Sequence, residues 1–134
     1  MAFHPVAVIP VYNHPDTIGL MVRAVLHAGL PCVLVDDGSE PHCAAVLQAL
    51  AVQHGPQVQL LRLDQNQGKG GAVMEGMRQA YAQGFSHVLQ IDADGQHAVS
   101  DIPAFLDLAR QHPQAMVCGA PVYDASVPKG RLYG

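Results

Sequence analysis

The sequence predicts an α/β domain: a mainly parallel sheet with helices on both faces. Three observations predict it. Short apolar segments rich in β-branched residues alternate along the chain with longer segments of helical periodicity, and short turns join them. The strand candidates are apolar almost throughout, as strands covered on both faces must be. Polar and acidic residues gather just after the strand candidates, where open parallel sheets place their ligands.

Val6–Tyr12 is the first strand, stopping at Asn13-His14-Pro15-Asp16. Asp16 or Thr17 then caps a helix running to about His27, with Ile18, Met21, Val22, Val25 and Leu26 on one face. Cys32–Val35 is the second strand and ends in Asp36-Asp37-Gly38-Ser39; a second helix spans about Pro41 to Gln53. Val58–Leu63 partly alternates and makes a third strand, nearer the sheet edge. Asp64 to Gly71 reads as a glycine-rich loop feeding a third helix to about Gln83. His87–Ile91 is the fourth strand, ending in Asp92-Ala93-Asp94-Gly95, and a fourth helix covers about Ser100 to Gln111. Ala115–Cys118 begins a fifth strand, and the tail from Pro121 to Gly134 shows turn residues without a closing element. The first strand is expected at the centre, between the second and the fourth. An uncovered fifth strand would leave an open apolar edge, so either self-association near Ala115 to Val122 or a longer natural protein is expected.

Composition narrows the partners. The chain has 134 residues, 49% hydrophobic and 13% charged, which suits one domain with a real core and not a disordered segment. Net charge is −4 with seven scattered Lys and Arg residues, which argues against a nucleic-acid surface. No apolar run approaches the roughly 20 residues of a membrane span. No basic region precedes an apolar stretch at the N-terminus, so a cytoplasmic location is the expectation. Cys32, Cys43 and Cys118 fit neither a disulfide framework nor a zinc site and read as reduced thiols.

Asp92-Ala93-Asp94-Gly95-Gln96-His97 is the sharpest chemical element. Two carboxylates one residue apart after a buried strand can face one hard cation, with Gln96 as a third oxygen donor; Mg²⁺ and Mn²⁺ accept such ligands together with substrate phosphates. A calcium EF-hand is excluded, because its sixth and twelfth positions would be His97 and Pro103 where Gly and Glu are required. A solvated Asp-rich turn is the plainer alternative. Asp36 and Asp37 can accept hydrogen bonds from a base imide or ribose hydroxyls, or cap the next helix. Gln65–Ala72 carries glycines that let backbone approach a ligand and Lys69 to meet phosphate charge, or else forms a simple helix-start turn. It is not a P-loop, having Leu63 and Gly70 where Gly and Ser or Thr belong, and it lacks the dinucleotide fingerprint.

Taken together, Val8–Asn13, Val35–Ser39, Asn66–Ala72 and Asp92–His97 resemble the family 2 glycosyltransferases of GT-A fold, over nearly the whole chain. The last segment is most similar to the polyprenyl-phosphate sugar synthases (dolichyl-phosphate mannose synthase-like). The resemblance implies that Pro10, Tyr12 and Asn13 line a nucleotide-sugar pocket and that Asp36 or Asp37 meets base or ribose. It puts Lys69 near base or phosphates, and Asp92, Asp94 and Gln96 on Mn²⁺ or Mg²⁺ at the diphosphate. The implied reaction is metal-dependent transfer, with inversion, from a nucleotide-sugar donor to an acceptor such as polyprenyl phosphate or another lipid. The implied place is the cytoplasm, at the inner face of the membrane for the full-length protein.

Family members are usually longer, and their second half supplies acceptor contacts and, in many, an acidic catalytic base. Residues 1–134 are therefore expected to be a single donor-binding domain, cut short at its C-terminal end. No catalytic base is assigned: Asp124 is the only clear acid after Gly119, and Lys129 and Arg131 read as a solvated basic tail. A nucleotide-binding fragment or module without catalytic activity is the alternative. A nucleotidylyltransferase is disfavoured, because Tyr12-Asn13-His14-Pro15 replaces the glycine-rich loop such enzymes carry after the first strand.

Overall fold

The structure, a computed structural model, describes residues 3–93, 102–111 and 130–133. Five strands form one sheet: β1 (Pro5–Val11), β2 (Cys32–Asp37), β3 (Val58–Leu63), β4 (His87–Ile91) and β5 (Gly130–Tyr133), in the order β3-β2-β1-β4-β5. β1 is central between β2 and β4, as expected, and the first four strands are parallel. β5 pairs antiparallel with β4. The helices are α1 (Ile18–His27), α2 (Pro41–His54), α3 (Gly68–Ala82) and α4 (Ile102–Gln111), with a short 3₁₀ turn (Gly55–Gln57) before β3.

Period-two alternation sorts the strand residues onto two faces. Ala7, Ile9, Val11, Cys32, Leu34, Leu89 and Ile91 pack against α1, α2 and α4, around Ile18, Met21, Leu47, Ile102 and Phe105. Val6, Val8, Val33, Val35 and Val88 pack against α3 through Ala72, Val73, Met77 and Ala80. Each large side chain buried here stabilises the fold by about 1.5–3 kcal/mol. α3 lies very close to the sheet: a methyl group on Gly76 would come within 2.6 Å of a Val8 methyl and 2.9 Å of a Val35 methyl.

Four expectations need revision or fall outside what is described. The glycine-rich run does not stay a loop; α3 starts at Gly68 and takes in Lys69, Gly70 and Gly71. The Asp37 carboxylate accepts the Gln67 N–H at the N-terminus of this helix, 2.7 Å away, where a negative charge is favourable. The tail does contain a further strand, Gly130–Tyr133, because four residues too short for any periodicity find partners along β4. The expected strand at Ala115–Cys118, and with it the expected self-association surface, lies outside the described residues. Thr17 stands at the start of α1 as expected, but its side chain does not cap the helix. Its hydroxyl donates instead to the Ala93 carbonyl at 3.3 Å and ties the loop after β1 to the loop after β4.

Candidate functional site

Strand order runs outward in one direction through β1, β2 and β3 and in the other through β4 and β5, so the topological switch lies between β1 and β4. Open α/β sheets bind ligands at this switch, beyond the carboxyl ends of the strands. A cavity of about 470 Å³ lies there, within the range of small-molecule sites.

Register explains which side chains reach the cavity. Pro10 pairs with Val35, on the α3 face, so Asp37 two residues on shares that face. Val8 pairs with Gln90 by the same parity, which puts Asp92 there as well. Asp37 and Asp92 thus flank Pro10 beneath the start of α3, and all three line the cavity. Lys69, in the first turn of α3, crosses to Asp92 with its Nζ 2.6 Å from Oδ1. Tyr12 lines the rim with half its surface exposed.

Pro10, Tyr12, Asp37, Lys69 and Asp92, all singled out from the sequence, therefore meet in one cavity. Asn13 and Asp36 stand behind it. Asp36 points to the opposite face, fully buried, where its oxygens accept the Ser39 N–H at 2.8 Å and the Arg62 guanidinium at 2.5 Å. Asn13 takes up a left-handed backbone conformation (φ 54°) and accepts the Glu40 N–H at 2.8 Å. Asp94 and Gln96 lie outside the described residues.

His14 and Asn66 line the cavity too, although neither stood out as a site residue by itself. Asn66 fell within the glycine-rich segment; His14 offered only its place beside Asn13. Asn66 donates to the Asp37 carbonyl at 3.1 Å and accepts the Gly68 N–H at 3.2 Å, joining the β2 loop to the start of α3. Gly38 makes this junction possible. Its φ is +77°, and a methyl group there would stand 2.8 Å from the Asn66 nitrogen.

The chemistry on offer is mixed. Asp37 presents a carboxylate acceptor, Tyr12 an aromatic face, and the N-terminus of α3 with Lys69 a positive end suited to phosphate. Asp92 already holds a cation, the Lys69 ammonium. No group of three or more His, Cys, Asp or Glu side chains able to hold a metal forms among the described residues. No helix among them is long and apolar enough to cross a membrane.

The chain resembles proteins already known. The model of glycosyl transferase family 2 matches residues 6–131. An undecaprenyl-phosphate 4-deoxy-4-formamido-L-arabinose transferase of Sodalis glossinidius is 37% identical over 115 residues, covering 78% of this chain and 33% of the relative. A polyprenol monophosphomannose synthase of Mycolicibacterium smegmatis is 31% identical over 102 residues, covering 75% of this chain and 38% of the relative. The chain thus spans only about a third of the length of these curated relatives. Among solved structures, a mannosyltransferase of Pyrobaculum calidifontis in complex with GDP-Man and Mn²⁺ superposes with a TM-score of 0.58 at 21% identity, over 68% of this chain and 27% of its own. TarS of S. aureus in complex with UDP gives 0.60 at 20% identity, over 81% and 33%. At such identities the superpositions establish the fold, and that fold is GT-A. Because the family model matches residues 6–131 of a chain of 134, this chain belongs to glycosyl transferase family 2.

Proposed function

We propose that these residues are the donor-binding part of an inverting transferase that moves a sugar from a nucleoside-diphosphate sugar to a lipid phosphate of the polyprenyl type. The observation that carries the reading is the convergence of Tyr12, Asp37, Lys69 and Asp92 on one cavity at the switch point of the sheet. In this reading Tyr12 and Pro10 bracket the base, and Asp37 accepts hydrogen bonds from base or ribose. Lys69 and the first turn of α3 face the diphosphate.

In the transfer, an acceptor oxygen bonds to the anomeric carbon as the bond to the diphosphate breaks on the opposite face. The electron pair leaves with the nucleoside diphosphate, and Lys69 offers positive charge where that negative charge grows. Asp92, with Asp94 and Gln96, would hold Mn²⁺ or Mg²⁺; the carboxylate's present cation partner and the hard oxygen donors fit such an ion. When bound, the ion neutralises charge on the leaving diphosphate as a Lewis acid. Acceptor contacts and any catalytic base belong to parts of the whole protein outside this donor-binding domain, which works on the cytoplasmic side of the membrane.

Thermal shift against UDP-, GDP- and dTDP-sugars, each with and without Mn²⁺, tests the reading and identifies the base. One nucleotide class should raise the melting temperature, more so with Mn²⁺. No shift with any of them at millimolar concentration would refute it.

A further inference from the structure

We infer that Arg62 is a positioning residue for the donor cavity, acting from the edge strand through Asp36 and Ser39 on the backbone that carries Tyr12 and His14. The inference rests on the reading of the cavity as a nucleotide site. Arg62 lies outside the family-like segments described above and does not line the cavity.

The argument starts from register. Asp36 and Arg62 are direct neighbours across β2 and β3, so both project from the same face. Asp36 is wholly buried, and a buried carboxylate must be paired and hydrogen-bonded to stay charged. Arg62 Nη1 donates to Asp36 Oδ2 at 2.5 Å, while Nη2 donates to the Ser39 carbonyl at 3.4 Å. Asp36 Oδ1 accepts the Ser39 N–H at 2.8 Å. Ser39 is thereby gripped at both its backbone groups by one ion pair.

From Ser39 the chain of bonds passes to the neighbouring loop. Its Oγ accepts the Asn13 N–H at 3.0 Å and reaches the Val11 carbonyl at 3.5 Å. The Asn13 side chain closes the circuit by accepting the Glu40 N–H. Asn13 has positive φ, a conformation that a non-glycine residue keeps only where its surroundings impose it. The bonds from Ser39 and Glu40 are that imposition. Tyr12 and His14, on either side of Asn13, line the cavity. Loosening Ser39 therefore frees the Tyr12–His14 segment and weakens donor binding without removing any donor contact.

The experiment measures dissociation constants by calorimetry, using whichever of UDP, GDP and dTDP binds tightest with Mn²⁺, alongside urea unfolding. Arg62→Met should weaken binding about fivefold to tenfold, and Arg62→Lys should recover much of that loss. In a Tyr12→Ala background Arg62→Met should change binding less than twofold, while lowering the urea midpoint as much as it does alone. A purely structural role would leave the binding effects additive. Ser39→Ala, a smaller change, should reproduce the weakening if Arg62→Met does not fold. Binding unchanged in Arg62→Met, or in Ser39→Ala where that variant stands in for it, overturns the inference, as does an undiminished effect of Arg62→Met in the Tyr12→Ala background. Lys69→Ala separates the two levels: if it weakens binding while Arg62→Met does not, only the inference fails. If neither Lys69→Ala nor Tyr12→Ala has an effect, the nucleotide reading fails and the inference with it.

Discussion

The two ends of the same sheet are built from different chemistry. At the carboxyl ends of β1, β2 and β4 the loops are stitched by side chains: Asp36 to Ser39, Ser39 to Asn13, Asp37 to Gln67, Thr17 to Ala93. At the amino ends, apolar and aromatic contacts dominate. Phe3 packs on His87 with ring centroids 5.2 Å apart, His4 on Phe85 at 4.3 Å, and the Arg110 guanidinium lies 5.0 Å over the Phe3 ring. Polar bonds there are fewer: Ser86 accepts the His4 N–H at 2.8 Å, bonds His87 Nδ1, and donates its own N–H to the His4 carbonyl, and the amides of Gln59, Gln79 and Gln83 bond one another between the start of β3 and the end of α3. The contrast teaches a division of labour. The amino end closes the core, and the carboxyl end gives up apolar packing to hold polar groups in fixed places around a cavity.

The strongest test of this division is Gly38→Ala at the polar end. A left-handed alanine costs about 1–2 kcal/mol, and overlap with the Asn66 backbone adds to it. Unfolding in urea should show a total loss of about 3 kcal/mol, with nucleotide binding reduced at least tenfold. A midpoint near that of the unsubstituted chain would mean that the two loops are not locked together.

Phe3→Ala is the counterpart at the amino end. Phe3 is only partly buried, so truncation should cost about 2 kcal/mol, below the value for a fully buried ring. Nucleotide affinity should stay within a factor of two. A larger change in affinity would join the two ends and break the comparison.

Asp94→Ala sharpens the comparison by separating binding from stability. The unfolding free energy in urea should change by no more than about 0.5 kcal/mol. The Mn²⁺ enhancement of nucleotide binding should vanish. Unchanged Mn²⁺ dependence would remove Asp94 from the metal site.

The smallest effect near neutral pH concerns Cys32, at the amino end of β2. Burial pushes its thiol from 9.0 up to about 12. The unfolded chain releases this proton near pH 9 while the folded chain retains it, so stability falls as pH rises from 9 toward 12 and is unaffected below that window. Cys32→Ala should flatten part of this decline in urea titrations between pH 9 and 11. A thiol reagent at pH 8 should reach Cys32 only at the rate of unfolding; rapid labelling of the native chain at this position would contradict its burial.

Much of the fold could be read from periodicity because each element announces itself locally. Val6–Val11, Cys32–Val35 and His87–Ile91 are apolar enough to need cover on both faces, and both faces are covered. The stripe Ile18, Met21, Val22 and Val25 demanded a helix and is the buried face of α1. The clustering of Pro10, Tyr12, Asp37, Lys69 and Asp92 follows from the parallel arrangement of β1 to β4, which sends their carboxyl ends to one edge.

Tertiary structure alone decided the rest. Asp36 and Asp37 are adjacent acids with no local difference; the pleat turns them to opposite faces, and only the placement of α3 makes one face the cavity. Gly68–Gly71 has the composition of a loop, yet the Asp37 carboxylate, about thirty residues away along the chain, meets the backbone where the helix starts. Gly130–Tyr133 is too short to signal a strand and becomes one through its bonds to β4. Arg62 looks like any charged residue on an edge strand until register sets it beside Asp36. In each case the deciding partner is distant in sequence, and local pattern carries no information about it.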